Sequence, residues 1–319
     1  MVRTQVLRSA RELDRAKSLW AGACPPATPF QSFLWNRLAS DLFSGREEPH
    51  VIVSESATAC TIIPAALRAD GSVGLLGETL FDYRTLLSTG DPQVEHAAWC
   101  ALAETSRPFE LMALMGEAER DRWSGLNPQP FCNAPGVALA HTTRAEFLAA
   151  HSRLGRHARR IAKRGIAFKR RPGADSALVR EIYRRKADSN RESPSLFLDP
   201  LRREFMEAIC AADPSCEVFT YETPGDLAAA IVTFASSATR HFYTIYFEAR
   251  WADLSPGQVL LFEAAAMTLG ENLNCDFMTG EYPYKNRLAN THVPLYRVQA
   301  SAAALRGLAE RRTASHLAA

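Results

Sequence analysis

The chain has 319 residues, which suits two domains of roughly 150 residues each and a large apolar core without staples. Hydrophobic residues make up 47% and charged residues 23%, and the net charge is only +2, so no global drive toward nucleic acid or membrane exists and any electrostatic argument is local. The seven cysteines are scattered without a CxxC pair. They read as buried thiols of a reducing compartment, not as a disulfide framework or a zinc site, and no metal is expected.

Met1 to Arg15 is polar almost at once and lacks a signal-peptide core. No apolar run approaches the ~18–20 residues that span a bilayer, so the expected location is the cytoplasm. In chain order, Gln5–Leu7 reads as a strand and Ala10–Ala21 as a helix. Pro25, Pro26 and Pro29 then break the chain, and Phe30–Phe43 reads as a helix. Short β-rich runs follow at Val51–Val53, Cys60–Leu67 and Val73–Leu76. Gln93–Thr105 is a helix and Glu110–Met115 a strand. The Pro/Asn/Gly-rich stretch Asn127–Gly136 reads as the connection between halves.

The second half opens with one long helix from Thr143 to about Arg164, whose apolar stripe is Phe147, Leu148, Leu154, Ala158 and Ile161. Helices Ser176–Ser189 and Leu201–Ala211 precede strands Glu217–Tyr221, Leu227–Ala235 and Phe242–Phe247. Helix Gln258–Gly270, strand Cys275–Met278 and strand Pro294–Gln299 complete the chain. Both halves show helices, consecutive strands, a helix and more strand. The expected class is α/β (α+β): two modules, residues 1–135 and 136–319, with mixed sheets flanked by helices.

The most informative stretch runs from His241 to Leu261: a strand, a polar loop, and a helix opening at Ser255-Pro256-Gly257. Ser255 suits an N-cap, Pro256 the first turn, and Gly257 a close ligand approach. The helix start would offer N–H groups and partial positive charge to a pyrophosphate, although S-P-G is also an ordinary helix start. Next, a strand runs into Gly280 and the cluster Glu281, Tyr282, Tyr284, Lys285 and Arg287. Beyond a strand's carboxyl end this cluster could bind ligand, with Glu281 as base, Tyr284 as proton donor and Lys285 as anion contact. A polar cap over the strand end explains it equally well.

At these residues the chain resembles the acetyltransferases linked to cellulose biosynthesis (the BcsL/CelD group), a branch of the GNAT superfamily. The likeness is carried by the aromatic strand Phe242–Phe247, by Leu254-Ser255-Pro256-Gly257 with Leu260-Leu261, and by Asp276-Phe277 leading to Gly280 and Tyr284-Lys285-Asn286-Arg287. Weaker matches are Pro29-Phe30-Gln31 with Trp35, Asp82-Tyr83, and Arg159-Arg160-Ile161. Two departures stand out: Leu288 occupies a place where the family usually carries Trp, and Trp251–Gly257 is poorer in Gly and Arg than the usual GNAT phosphate loop.

The resemblance implies tandem GNAT-like modules, similar to Fem-type peptidyltransferases, with acetyl-CoA or another acyl-CoA in the C-terminal module. Its donor contacts would come from Tyr246, Phe247, Ser255, Gly257, Gln258 and Lys285, on strands that splay around the pantetheine. The acceptor, an amine or saccharide, would meet Asp82 and Tyr83, and the reaction would be direct N- or O-acyl transfer. Two alternatives remain: an aminoacyl-tRNA-dependent Fem-type transferase, and a non-catalytic accessory protein of exopolysaccharide synthesis. Nine Lys or Arg and no acid lie between Arg153 and Arg171, which suits tRNA, a phosphorylated acceptor or a lipid surface, or merely a solvated face. His241 and His292 read as structural. No metalloprotease, α/β-hydrolase or P-loop motif occurs.

Overall fold

The computed structural model describes residues 1–319 apart from 24–26, 78, 189–195 and 318–319, with backbone alone for 311–317. Cys24, Pro25, Pro26 and Ser189 therefore lie outside the described residues. The strands, in chain order, are β1 Arg3–Leu7, β2 Glu47–Glu55, β3 Cys60–Arg68, β4 Val73–Leu75, β5 Leu87–Ser88, β6 Phe109–Met115, β7 Gln129–Val137, β8 Ala167–Pro172, β9 Glu217–Thr223, β10 Asp226–Ala235, β11 Thr239–Phe247, β12 Asn274–Asp276 and β13 Thr291–Ala300. They belong to two compact units, Met1–Cys132 with Pro294–Ala319, and Asn133–Val293.

In the first unit the strand order is β1-β2-β3-β4-β6-β13, with β5 on β3. Neighbours are antiparallel except β4 and β6. A parallel pair needs a crossover, and helix Pro92–Ala103 lies between β4 and β6 in the chain. Asp91 starts that helix by accepting from the Gln93 and Val94 N–H groups, and Pro92 has no N–H to strand there. The helix buries Trp99 and Leu102 with Ile52, Ile63, Phe109 and Trp123, and the C-terminal helix Ala302–Leu317 adds Leu305 and Leu308. The Trp99 and Trp123 rings meet edge to face, 4.8 Å apart.

The second unit follows the same path: β8-β9-β10-β11 antiparallel, then β12 parallel to β11, then β7 antiparallel to β12. Its crossover is helix Pro256–Gly270, in which Val259, Leu260, Leu261, Ala264 and Ala265 are all fully buried. A helix apolar on nearly every side belongs inside a core, and this one packs among helix Ser152–Lys163, β10, β11 and β12.

In each unit the sixth strand comes from a distant part of the chain. This corrects two expectations. The second module does not run to the C-terminus, because β13 pairs with β6 from Leu295 opposite Met115 to Ala300 opposite Phe109. Asn127–Gly136 does carry the chain from one unit to the other, at Cys132 and Asn133, but not as a loop, because most of it is β7, whose Gly136 and Val137 stand opposite Asp276 and Cys275. Its prolines do not prevent this. Pro135 keeps its carbonyl and accepts the Phe277 N–H at 2.9 Å. Gly136 is required sterically, since a Cβ there would lie 2.5 Å from the Cys275 carbonyl oxygen.

The expected long helix is two, Arg144–Ala150 and Ser152–Lys163. They break at His151, whose ring packs on Phe147 at 4.7 Å and on Phe262 at 6.4 Å. The helix expected at Phe30–Phe43 begins at Phe33, behind a 3-10 turn at Pro29–Gln31, with Ser32 as its cap. Strand β8 was hidden in the basic run. Its cations reach diagonally to acids on the neighbouring strand β9: Lys169 and Arg171 pair with Glu222 at 2.8 Å, and Arg170 donates to Glu217 at 2.7 Å. Among the described residues no helix is long and apolar enough to cross a membrane.

Candidate active site

The parallel pairing of β11 with β12 is short. It covers Thr239, Arg240 and His241, opposite Asn274, Cys275 and Asp276. At the last paired position the side chains are joined as well, His241 Nδ1 to Asp276 Oδ2 at 2.9 Å. That buried contact accounts for the structural reading of His241. Beyond it β12 stops while β11 continues from Phe242 to Phe247.

The direction of the peptide groups along this free edge follows from the other neighbour. Ala228 stands opposite Glu248 when the β10–β11 register is extended by one, and the Glu248 N–H donates to the Ala228 carbonyl at 2.9 Å. Antiparallel pairs alternate between hydrogen-bonded and non-bonded. Tyr246 and Thr244 therefore spend their peptide groups on β10, whereas Ile245 and Phe247 aim theirs away from β10, at the open side. The sequence reading placed Tyr246 and Phe247 together as donor contacts. Only Phe247 has its main chain free for that role. Lys186 Nζ reaches the Ile245 carbonyl at 2.8 Å.

A cleft of about 1210 Å³ lies along this edge. Its walls come from β11 and the following residues, from the end of helix Ser176–Asp188, from the start of helix Pro256–Gly270, and from Tyr284. Ser255, Gly257 and Gln258 all line it. Ser255 differs in detail. It is left-handed (φ 49°, ψ 49°), and its hydroxyl makes no cap. Geometry leaves the Gly257 and Gln258 N–H groups without an intrahelical acceptor, since the first i to i−4 bond runs from Val259 to Ser255.

Charge in the cleft is balanced more than sequence suggested. Four cations, Arg184, Arg185, Lys186 and Arg250, face Asp188, Asp226 and Glu248. Arg185 is shared among Glu181, Asp226 and Glu248, which bond it at 2.6, 3.4 and 3.2 Å, and Arg250 pairs with Asp226. The Tyr246 hydroxyl donates to Glu248 at 2.9 Å, and burial with that carboxylate pushes its pKa up to about 12. Burial lowers the pKa of Lys186. These cleft groups were missed by sequence reasoning. The Arg184-Arg185-Lys186 run sits in the last turns of a helix, where cations are common for reasons of the helix dipole alone.

The remaining expected site residues divide. Tyr284 lines the cleft, and burial followed by the neighbouring Tyr282 pushes its hydroxyl up to about 12, so it holds its proton at neutral pH. Its ring is stacked on Tyr282, with centroids 5.9 Å apart. Glu281 is exposed, accepts from Asn133 Nδ2 at 3.0 Å, and does not line the cleft. Lys285 is buried and spends its ammonium on the Thr279 carbonyl at 2.7 Å, so it acts as a loop clasp and not as an open anion contact. Tyr83 is fully buried in the first unit, with its ring against Phe30 at 5.9 Å, which makes it a core residue; Asp82 beside it is half-buried.

The same region matches the family model of an acetyltransferase (GNAT) domain, over residues 149–286. No curated protein matches the chain. Among solved structures, the chain is similar to the C-terminal domain of a protein designated a lysylphosphatidylglycerol synthetase from Agrobacterium fabrum, at 14% identity and TM-score 0.60, covering 94% of this chain and 96% of that one. FemX is similar at 8% identity and TM-score 0.58, covering 92% and 96%. A tandem GNAT protein from the clavulanic acid biosynthesis pathway is similar at 8% identity and TM-score 0.51, covering 95% and 99%. At such identities the likeness is one of fold. The chain thus has a GNAT-type fold, and its residues 149–286 match the model of a GNAT acetyltransferase domain.

Proposed function

We propose that the chain transfers an acyl group from acyl-CoA, with acetyl-CoA as the reference donor, to an amine or saccharide hydroxyl by direct attack on the thioester. The observation that carries this reading is the free edge of β11, which leads straight to the unpaired N–H groups at Gly257 and Gln258. An extended amide-bearing arm such as pantetheine suits the Ile245 and Phe247 peptide groups, and a pyrophosphate suits the helix start with Arg184 and Arg250 beside it. The cleft's arginines are already paired with carboxylates, so donor binding would exchange partners instead of neutralising an open positive patch.

In this reading the acceptor's nitrogen or oxygen forms the new bond to the acyl carbon as the carbon–sulfur bond breaks. Lys186, placed at the open edge by its bond to the Ile245 carbonyl and with its pKa lowered by burial, is the group assigned to take the acceptor's proton. Tyr284, which stays protonated, gives its proton to the departing thiolate. The Phe247 N–H, aimed at the open side, is the polariser of the thioester carbonyl. The resemblance to cellulose-linked acetyltransferases favours a saccharide acceptor, and an acyl-CoA donor places the reaction in the cytoplasm. Calorimetric titration with acetyl-CoA tests the proposal. A chain that binds no acetyl-CoA overturns it, and a chain that binds it but acylates no amine or sugar in a thiol-release screen is an accessory protein.

A further inference from the structure

The nine cations between Arg153 and Arg171 fall into two groups. The three on β8 are paired with Glu217 and Glu222. The six at Arg153, Arg156, Arg159, Arg160, Lys163 and Arg164 are exposed, and among the described residues no hydrogen bond or ion pair engages them. At 100° per residue these six fall within an arc of roughly 140° on one helix face. Six like charges on little more than three turns repel one another, which disfavours the helix by a few tenths of a kcal/mol per close pair. An anionic partner relieves that cost.

The stripe borders a second cleft, of about 900 Å³, between helix Ser152–Lys163 and helix Pro256–Gly270. Arg156 and Arg159 stand on its lining together with an apolar set that includes Leu148, Ala162, Phe262, Ala266 and Met267. Leu148 is 36% exposed there, a large apolar side chain facing solvent. The cleft's two carboxylates are both satisfied. Glu263 accepts from the Tyr221 hydroxyl, and burial raises its pKa toward the neutral form. Glu271 is held by Arg170 and Arg240. Cations on the rim and hydrocarbon in the groove match an anionic amphiphile. A nucleic acid would use the rim alone, and no exposed aromatic ring is found on this face among the described residues to stack a base.

We propose that this face docks the protein on an anionic lipid surface, with the arginine stripe on headgroup phosphates and the groove receiving an acyl chain. The proposal is independent of the donor, because the β11 cleft shares no lining residue with this groove. The test is flotation of the full chain with vesicles of phosphatidylcholine alone or with one quarter phosphatidylglycerol. Binding is expected only to the anionic vesicles and should weaken as salt is raised. Each basic residue at such a surface strengthens binding roughly five-fold, so the double variant Arg156→Gln/Arg160→Gln should lose about 25-fold. Leu148→Asp, at an exposed position, should weaken vesicle binding while circular dichroism stays that of the wild type. Equal flotation of the double variant, or of Leu148→Asp, overturns the proposal. So does retention of an RNA hairpin with the same arginine dependence when anionic vesicles are not bound. Acetyl-CoA affinity of the double variant, measured in parallel, should be unchanged, which separates failure here from failure of the donor assignment.

Discussion

Gly257→Glu separates a helix start that merely folds from one that holds phosphates. A Cβ at Gly257 would meet the Phe247 ring at 3.2 to 3.6 Å, and that ring is 49% exposed, so it can move aside. Replacing glycine by a better helix former gains up to about 1 kcal/mol, and a carboxylate in the first turn adds roughly 0.3–1 kcal/mol through the helix dipole. The variant should therefore melt no lower than the wild type. Acetyl-CoA should behave in the opposite way. A carboxylate about 5 Å from each of two phosphate charges costs ~1.7 kcal/mol even at the dielectric of water, or roughly 15-fold in Kd, and more where the cleft excludes solvent. Calorimetry with acetyl-CoA and with acetyl-pantetheine, which lacks phosphates, gives the readout. The first ligand should weaken and the second should not. Unchanged acetyl-CoA affinity in a folded Gly257→Glu would refute the placement of the pyrophosphate. Equal weakening of both ligands would mean that displaced Phe247, not charge, causes the loss.

Tyr284→Phe should lower turnover roughly 10²-fold with little change in acetyl-CoA affinity, since the ring and its stacking on Tyr282 remain. Glu281→Gln should leave turnover unchanged, because that carboxylate is outside the cleft; a large loss would restore it as the base in place of Lys186. For Lys186, burial lowers the folded pKa below its ordinary 10.5, so the folded chain binds fewer protons than the unfolded one between those two values. Stability should therefore rise with pH across that window relative to Lys186→Met, and the difference between the two denaturation curves should level off above it. Tyr83→Ala should cost about 3–5 kcal/mol of stability, as for a buried aromatic; a folded variant of unchanged stability with a raised acceptor KM would instead put Tyr83 in the acceptor site.

Much of the local structure was legible in the residues. The β-branched runs at Val51–Val53 and Leu227–Ala235 and the apolar helix after Ser255 are found where their patterns put them. Errors arose where tertiary partners override local preference. Asn127–Gly136 carries turn residues at every level of local chemistry, yet it is mostly a strand, because a close pass over Cys275 needs glycine and a proline carbonyl can still accept. The run Lys169-Arg170-Arg171 looked like more of one basic face. It is β8, and the acids that neutralise it are about fifty residues away on β9. Neither partner is visible from the segment itself.

The candidate site shows the same limit more sharply. The sequence singled out the strand and the helix start that line the cleft, but a strand's side-chain alternation does not say which of its peptide groups are already spent. That depends on the phase of pairing with β10, set by the Glu248 N–H on the Ala228 carbonyl. With that phase, Ile245 and Phe247 face the open edge and Tyr246 does not. A slip of one residue would reverse the assignment, turning the Ile245 and Phe247 groups onto β10 and those of Thr244 and Tyr246 to the open side. The bulge between Val232 and Thr233 lies on the far side of this segment, toward the closed end. It shifts the register there without disturbing the phase from Thr244 to Phe247. The strand can thus be locked to β12 at His241 and still turn the Ile245 and Phe247 peptide groups to its open side several residues later. The proposed donor role of this strand depends on main-chain direction, which side-chain patterning does not encode and strand register does.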